Sequence, residues 1–130
     1  MADPIQVELV SADRVVWSGQ AATVIARTIE GDVGILANHA PMLAVLVPGA
    51  VEVHAVDGES WVAVVDGGFL SVAANRISIL SEHAQMSGEI DVEKARRDLE
   101  EARQAEDGTP ETAEQVRRAE TTLTVAERAR

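Results

Sequence analysis

The sequence predicts an α+β protein with segregated parts: an N-terminal antiparallel β-sandwich followed by a C-terminal antiparallel αα-hairpin. Three observations lead to this prediction. Up to about residue 86, β-branched residues alternate with polar ones. Beyond it, apolar residues recur at three- and four-residue steps, and glycine- or proline-marked turns separate the runs in both parts. We therefore expect two domains, residues 1–86 and residues 87–130.

Short apolar runs between turn residues define the first domain. Residues 5–9 alternate as a half-buried strand does, residues 15–17 follow a turn, and residues 22–28 predict a third strand. Residues 30–34 are a predicted glycine turn, and Asp57-Gly58 predicts a hairpin. Further apolar runs lie at residues 42–47, 50–56, 61–65, 69–73 and 76–81. Many short strands at this spacing are typical of an antiparallel sandwich or flattened barrel.

Two amphipathic helices define the second domain. Asp91 is the predicted N-cap of the first helix. Residues 107–110 then break it: Gly108 is expected to form a left-handed C-cap, Thr109 caps the next helix, and Pro110 fits its first turn. The second helix is predicted from about residue 111 to residue 127. The apolar stripes are Val92, Ala95, Leu99 and Ala102 in the first helix, and Ala113, Val116, Ala119, Leu123 and Ala126 in the second.

These stripes consist mainly of alanine and valine, which bury little apolar area. At about 25 cal/mol per Å² of buried apolar area, a buried alanine contributes a small fraction of the stabilisation that a leucine contributes. The summed stabilisation from these stripes must offset the conformational entropy lost when the hairpin becomes ordered. Two interpretations stay open. The hairpin either moves between the sandwich and a partner, or is a small helical extension that is always docked.

Composition excludes several classes of protein. There is no cysteine, so disulfides, thiolate nucleophiles and cysteine metal sites are excluded. The formal net charge of −11 argues against nucleic acid and against direct adhesion to anionic lipid. No run of about 18 apolar residues predicts a membrane span. The N-terminus lacks the basic and apolar regions of a secretory signal, so we expect a cytoplasmic protein.

The charge reverses sign near the C-terminus. Residues 117–130 carry Arg117, Arg118, Arg128 and Arg130 against Glu120 and Glu127. This weakly basic end of an acidic protein either contacts an acidic partner or forms a solvated helix face.

We predict no catalytic residue and no metal ligand. His39, His54 and His83 show no metal-ligand spacing. No serine lies in a G-x-S-x-G elbow, and the glycine-rich segment 66–68 lacks the P-loop pattern, so its glycines are expected to shape a strand connection. The alternative from another class is a small, cupin-like β-barrel enzyme that depends on a metal. It would need a cluster of histidines with a carboxylate.

Several motifs together resemble a known family. Residues 31–41, GDVGILANHAP, resemble the G-[ED]-[LVI]-G-I-x-x-x-H-[AI]-P signature of the epsilon subunit of bacterial F-type ATP synthases. Residues 66–72, DGGFLSV, are similar to the family's [SD]-G-G-[FIV]-[LV]-x-V segment, and Pro48-Gly49 follows a short apolar strand as it commonly does there. Residues 10–13, 17–19, 77–80 and 90–95 also fit in order, so the resemblance covers nearly the whole chain.

The resemblance implies a non-catalytic central-stalk subunit of the proton-translocating ATP synthase. In that family the sandwich binds the gamma subunit and rests on the ring of c subunits, at the cytoplasmic face of the cell membrane. The chain would reach the membrane only through the complex. On this resemblance, Glu30, Asp32 and His39 are the predicted contacts with the c-ring.

The resemblance also implies a regulatory role for the hairpin. Folded down, it lies on the sandwich in this family. Extended, it reaches the catalytic alpha and beta subunits and inhibits ATP hydrolysis. Arg117, Arg118 and Arg128 stand where basic residues of the second helix contact an acidic segment of the beta subunit.

Some members of the family bind ATP in the folded-down hairpin, through an [IL]-D-x-x-R-A motif and further arginines. Ile90, Asp91 and Ala95 match this motif, but Lys94 replaces its arginine and lacks the planar guanidinium fork. Arg118 matches one later basic position, whereas Glu101 and Thr122 replace two others. We expect weak ATP binding or none, and no other cofactor.

Overall fold

The fold is seen in a computed structural model that describes residues 4–128, although not the side chain of Arg128. Within this range, nine strands precede two helices, so the predicted fold class is confirmed. The elements are β1 (Ile5–Val10), β2 (Val15–Thr28), β3 (Gly31–Leu36), β4 (Met42–Leu46), β5 (Gly49–Ala55), β6 (Ser60–Val65), β7 (Gly68–Ala73), β8 (Arg76–Leu80), β9 (Ala84–Met86), a 3₁₀ linker turn (Ser87–Glu89), α1 (Val92–Ala105) and α2 (Pro110–Arg128).

The strands form one hydrogen-bonded sheet that folds back on itself. Its order is β1-β8-β7-β4-β2-β5-β6-β9, with β3 paired to β2, and β1 paired to β2 as well as to β8. One layer of the sandwich contains β1, β8, β7 and β4, and the long strand β2 leads into the other. The pairs are antiparallel except β1 with β8, which are parallel. That pair departs from the purely antiparallel prediction, and the strands between β1 and β8 provide the long connection it needs.

Strand β2 is continuous over 14 residues where the sequence predicted two strands. The ladder with β1 runs through Gly19, which lies opposite Val7. The pairing with β5 instead shifts register between Ala21 and Thr23, and a shift of this kind bends a strand without ending it. Pairing with a distant segment, rather than local turn propensity, decides the extent of this strand.

The turn predicted at residues 30–34 is wrong, because most of that segment is β3. Only Ile29 and Glu30 form the turn. Gly31 begins the strand with a φ of 121°, which favours glycine, and β3 then pairs with β2 along its length. Strand β9 was not predicted, since its three residues are too few to show a period.

The core lies between the two layers of the sandwich. Its largest fully buried side chains are Ile5, Val7, Leu9, Val24, Ile35, Val51, Val65, Leu70, Ile77 and Ile79. Because successive side chains of a strand point to opposite faces, the neighbours Ala50 in β5 and Val62 and Val64 in β6 point outward. We call these three residues the covered face.

Local hydrogen bonds set the ends of the two helices. The Asp91 carboxylate accepts from two backbone N–H groups of the first turn of α1, at 3.0 and 3.2 Å, as the predicted N-cap does. Thr109 caps α2, as predicted, through an N–H three residues later at 3.3 Å. The C-cap prediction is wrong: Glu106 is an extended C-cap, and Gly108, at a φ of 87°, lies two residues beyond it. Asp107 accepts hydrogen bonds from Thr109, and this local turn ends the helix instead.

The hairpin docks through α2, while α1 packs mainly on α2. Val125 and Ala126, near the end of α2, are buried with Ile90 against the covered face. Leu99 in α1 and Val116 in α2 are also buried. The predicted stripes are the less exposed sides of both helices, and Val125 is an addition that the sequence analysis missed.

Candidate functional site

The sandwich layer away from the hairpin carries an uncovered apolar surface. Val45, Phe69 and Leu80 lie opposite one another on β4, β7 and β8 and are 42%, 53% and 51% exposed. We call these three residues the outer apolar row. Leu43 lies on the same face of β4 and is 74% exposed, and the N–H of the exposed Ile29 donates to the Val45 carbonyl at 3.0 Å. A contiguous exposed apolar surface marks an interaction site.

The residues predicted to contact the c-ring lie at two ends of β3. Asp32 is opposite Arg27 in the ladder, and its Oδ1 accepts a hydrogen bond from the Arg27 Nε at 3.0 Å. Glu30 lies in the adjoining turn, whereas His39 follows the far end of the strand. At about 3.3 Å per residue, the ends of this strand are roughly 17 Å apart. The three residues therefore form two sites rather than one.

A hydrogen-bond network positions the loop that carries His39. The N–H of Asn38, a residue with a φ of 64°, donates to the Asn75 Oδ1 at 2.9 Å, and the Asn75 Nδ2 donates to the Pro4 carbonyl at 2.7 Å. The His39 Nδ1 is 2.7 Å from the Ala40 carbonyl oxygen. Because a carbonyl only accepts, this contact places the proton on Nδ1. No sequence signal connects residue 75 to this loop.

The predicted regulatory arginines have different surroundings in the docked hairpin. Arg117 pairs with Glu114 of its own helix, and its side chain is 66% exposed. The Arg118 Nε lies 2.9 Å from the Asp66 Oδ1 on the sandwich and 3.7 Å from Glu114. The side chain of Arg128 lies outside the described residues. Asp66 was missed as a partner, since nothing in the sequence places residue 66 beside residue 118.

The residues predicted for weak ATP binding are engaged in four different ways. Ile90 and Ala95 are buried in the apolar cluster under α2, and Asp91 caps α1. The Lys94 Nζ lies 2.8 Å from a carboxylate one turn along α1, and this hydrogen bond raises the pKa of Lys94. Arg118 is bound to the sandwich.

The linker turn is fastened to the sandwich by an ion pair that the sequence analysis missed. The Arg14 guanidinium donates to both Glu89 carboxylate oxygens, at 3.1 and 2.9 Å, and the Met86 N–H donates to the same carboxylate at 3.0 Å. The hydrogen bond from Arg14, followed by that from Met86, lowers the pKa of Glu89. The chain entering the hairpin is thus held against the β1–β2 turn.

A serine, a histidine and a carboxylate meet on β5 and β6 without the geometry of a catalytic triad. The His54 Nδ1 is 2.9 Å from the Ser60 Oγ, but its Nε2 is 3.9 Å from the Glu52 Oε2. That distance exceeds a hydrogen bond, so Glu52 does not orient the ring as a triad requires. Across residues 4–128 no three acidic or histidine side chains could together hold a metal ion. No helix in the described part of the chain is long and apolar enough to cross a membrane.

The fold and these surfaces define a class of protein in which a β-sandwich carries a docked helical hairpin on one face and an open apolar surface, suited to binding a partner, on another. A family model described as "ATP synthase, Delta/Epsilon chain, beta-sandwich domain" matches residues 4–87. The chain is 49% identical over 117 residues to the ATP synthase epsilon chain of Streptomyces avermitilis, covering 90% of this chain and 94% of that one. It is 46% identical over 101 residues to the epsilon chain of Corynebacterium diphtheriae, covering 77% and 81%. The chain belongs to the epsilon chain family of ATP synthase, as its motifs predicted.

Solved structures agree with this assignment. A chain of the Euglena gracilis mitochondrial ATP synthase, from an OSCP, F1 and c-ring assembly, has a TM-score of 0.72 and 32% identity over 95% of this chain and 78% of that one. A chain of the Tetrahymena thermophila central stalk and c-ring, at 20% identity and a TM-score of 0.59, shares the fold. Family membership decides between the two classes weighed from the sequence: the chain is a non-catalytic subunit rather than a cupin-like enzyme.

Proposed function

We propose that this chain couples the gamma subunit to the c-ring in the central stalk of a proton-translocating ATP synthase during ATP synthesis. Residues 1–86 are the anchor in this proposal, and residues 87–130 are the regulatory part. The complex holds the chain at the cytoplasmic face of the cell membrane as a peripheral subunit. Family membership and the assembly that contains the Euglena neighbour support the proposal.

The outer apolar row is the observation that carries the proposal. It crosses three strands of the layer that the hairpin leaves open. Exposing apolar side chains to water is unfavourable by about 25 cal/mol per Å² of apolar area, so a complex in which a partner covers this row is stabilised. We assign this row to the gamma subunit because a flat apolar surface suits a stable partner, and a stalk requires one.

Co-purification with the gamma subunit tests this assignment. Phe69→Ser should lower the amount of gamma retained, because the substitution removes the central side chain of the row. Val56→Ser is the matched control: Val56 is 55% exposed, close to the 53% of Phe69, but lies in the β5–β6 turn. Equal retention by the two variants would contradict the assignment.

We assign Glu30, Asp32 and His39 to the c-ring, as contacts at two ends of one strand. The cysteine-free chain allows each end to be tested separately by cross-linking, with cysteine placed at position 30 or at position 39. A cross-link to a c subunit from each position is the expected result. If neither position reaches the ring, the assignment fails.

We further propose that the hairpin inhibits ATP hydrolysis when it leaves the sandwich. Its interface with the covered face is formed by small side chains, chiefly Val125 and Ala126, so docking is weak enough to be reversible. Arg117, Arg118 and Arg128 are the assigned contacts with the catalytic subunits. Deleting residues 88–130 should raise the rate of ATP hydrolysis of the assembled enzyme, and an unchanged rate would rule inhibition out.

ATP is not proposed as the ligand that holds the hairpin down. Lys94, at the arginine position of the motif, is already paired within α1, and Arg118 is paired with Asp66. Isothermal titration of the chain with ATP should detect weak binding or none. Submillimolar binding would overturn this expectation.

A further inference from the structure

Asp66 presents a carboxylate from a rigid part of the sandwich toward the hairpin. It follows β6 directly, and its N–H is fixed by the His83 carbonyl at 3.0 Å and the Ser81 Oγ at 3.2 Å. Gly67 and Gly68 hold the following turn with φ values of 74° and 116°. The backbone that carries the Asp66 side chain is therefore fixed beside α2.

The positive charge of Arg118 balances the negative charge on the Asp66 Oδ1. This oxygen is buried and accepts no hydrogen bond, although the Arg118 Nε lies 2.9 Å away. The short distance with poor alignment describes an ion pair rather than a hydrogen bond. A buried anionic oxygen that loses its counter-charge is unfavourable unless water reaches it.

Arg118 lies on the side of α2 that faces the sheet. Thr122 and Val125 follow it at four and seven residues, which are positions on the same face of a helix. Val125 is buried on the covered face, and Arg118, Thr122 and Asp66 line one groove of about 470 Å³ between α2 and the sandwich. The ion pair and the apolar contact thus lie two helical turns apart along one interface.

We propose that Asp66 and Arg118 form a latch that holds α2 on the sandwich, and that Asp66 competes for Arg118 with an acidic segment of a partner. The competition rests on the proposed function of the hairpin; the latch itself does not. The Arg118 Nε lies 2.9 Å from the Asp66 Oδ1 while α2 is docked. Because Arg118 belongs to α2 and Asp66 to the sandwich, undocking of the helix breaks this ion pair. Opening lets water reach the Asp66 Oδ1, which keeps the latch weak and reversible.

The strength of the latch sets the size of the expected effect. The side chains of Arg118 and Asp66 are 48% and 26% exposed, so solvent screens the pair, and such pairs change an equilibrium by about two- to fivefold. A latch of this size biases the hairpin without locking it.

Amide hydrogen exchange of the full chain tests the latch without any partner. Asp66→Asn and Arg118→Gln should each speed exchange in α1 and α2 by about two- to fivefold and leave the amides of the sandwich core unchanged. The double variant should exchange no faster than the faster single variant, since both changes break one contact. Arg117→Gln is the matched control: it removes the neighbouring arginine, whose ion pair is with Glu114 of its own helix.

Three results would overturn the latch: unchanged helix exchange in both single variants, additive effects in the double variant, or equal acceleration by Arg117→Gln. A second measurement separates the latch from the proposed function. In the assembled enzyme, Asp66→Asn should lower ATP hydrolysis by freeing the hairpin. Faster helix exchange with unchanged hydrolysis would keep the latch and refute the competition for an inhibitory partner.

Discussion

At the scale of single residues, two glycines in the family-like motifs have different roles. Gly68 has a φ of 116°, and a Cβ there would lie 1.9 Å from the Leu80 carbonyl oxygen. Gly34 has an ordinary backbone conformation, and nothing lies within 4 Å of the position its Cβ would take. The chain's own packing therefore requires Gly68 to be glycine, whereas it does not explain Gly34.

Alanine substitutions distinguish the two glycines. Gly68→Ala should destabilise the protein by more than about 3 kcal/mol, because the methyl group collides with backbone that cannot move aside. Gly34→Ala should change the free energy of unfolding by less than about 1 kcal/mol. Equilibrium unfolding in urea measures both. A Gly68→Ala variant with the midpoint of the parent protein would contradict the prediction.

At the scale of elements, the linker turn joins two segments that belong to different parts of the molecule. Glu89 is tied to the sandwich through Arg14, whereas Ile90 is buried with Val125 and Ala126 of the hairpin. Ile90 also packs against Val62 and Val64 of the sandwich, so the segment after Glu89 lies where hairpin and sandwich meet. The ionised Glu89 carboxylate helps to hold the turn on the sandwich through its hydrogen bonds with Arg14 and Met86.

Acid should loosen the linker turn. The pKa of Glu89 is lowered in the folded protein, so its contribution to stability is present above the ordinary value of 4.5 and is lost as the pH falls through the lower folded value. Glu89→Gln lacks this titration. The difference in free energy of unfolding between the parent protein and Glu89→Gln should therefore be larger at about pH 6 than at about pH 3. A difference that is independent of pH would contradict the assignment.

At the scale of the whole molecule, one face of the sandwich is covered by the hairpin and another is open. The outer surface of β5 and β6 is occupied by the chain's own hairpin, and the outer apolar row on β4, β7 and β8 stays open. Because the core lies between the layers and includes only residues of the sandwich, releasing the hairpin leaves that core intact. The sandwich should therefore stay folded when the hairpin is displaced.

A charge under α2 should release the hairpin and spare the sandwich. Val125 is 1% exposed on the covered face, and burying an unpaired aspartate there is strongly unfavourable. Val125→Asp should therefore make the linker turn and the helices sensitive to limited proteolysis, leaving a resistant fragment that contains β1 to β9, identified by mass spectrometry. Thr124→Asp introduces the same charge one residue earlier, at an exposed position, and should be cleaved like the parent protein. Loss of the sandwich fragment together with the helices would show that the two parts unfold as one.

The sequence by itself determined the features that depend on neighbouring residues. Alternation and helical spacing determined that the sandwich comes first and the hairpin second. Asp91 and Thr109 were identifiable as caps because a cap side chain accepts hydrogen bonds from backbone N–H groups of its own helix. The motifs at residues 31–41 and 66–72, with the shorter matches that follow in order along the chain, together indicated the family, since each depends on residues at fixed local spacing.

Only the tertiary structure decided the features that depend on distant residues. The continuity of β2, the parallel pairing of β1 with β8, and the pairing of Arg118 with Asp66 each join segments far apart in the chain. The same holds for the two apolar faces: one is covered and the other open, although both show the same period of two in the sequence. Periodicity determines that a residue lies on a face of a strand, whereas strand pairing and helix docking determine what that face meets.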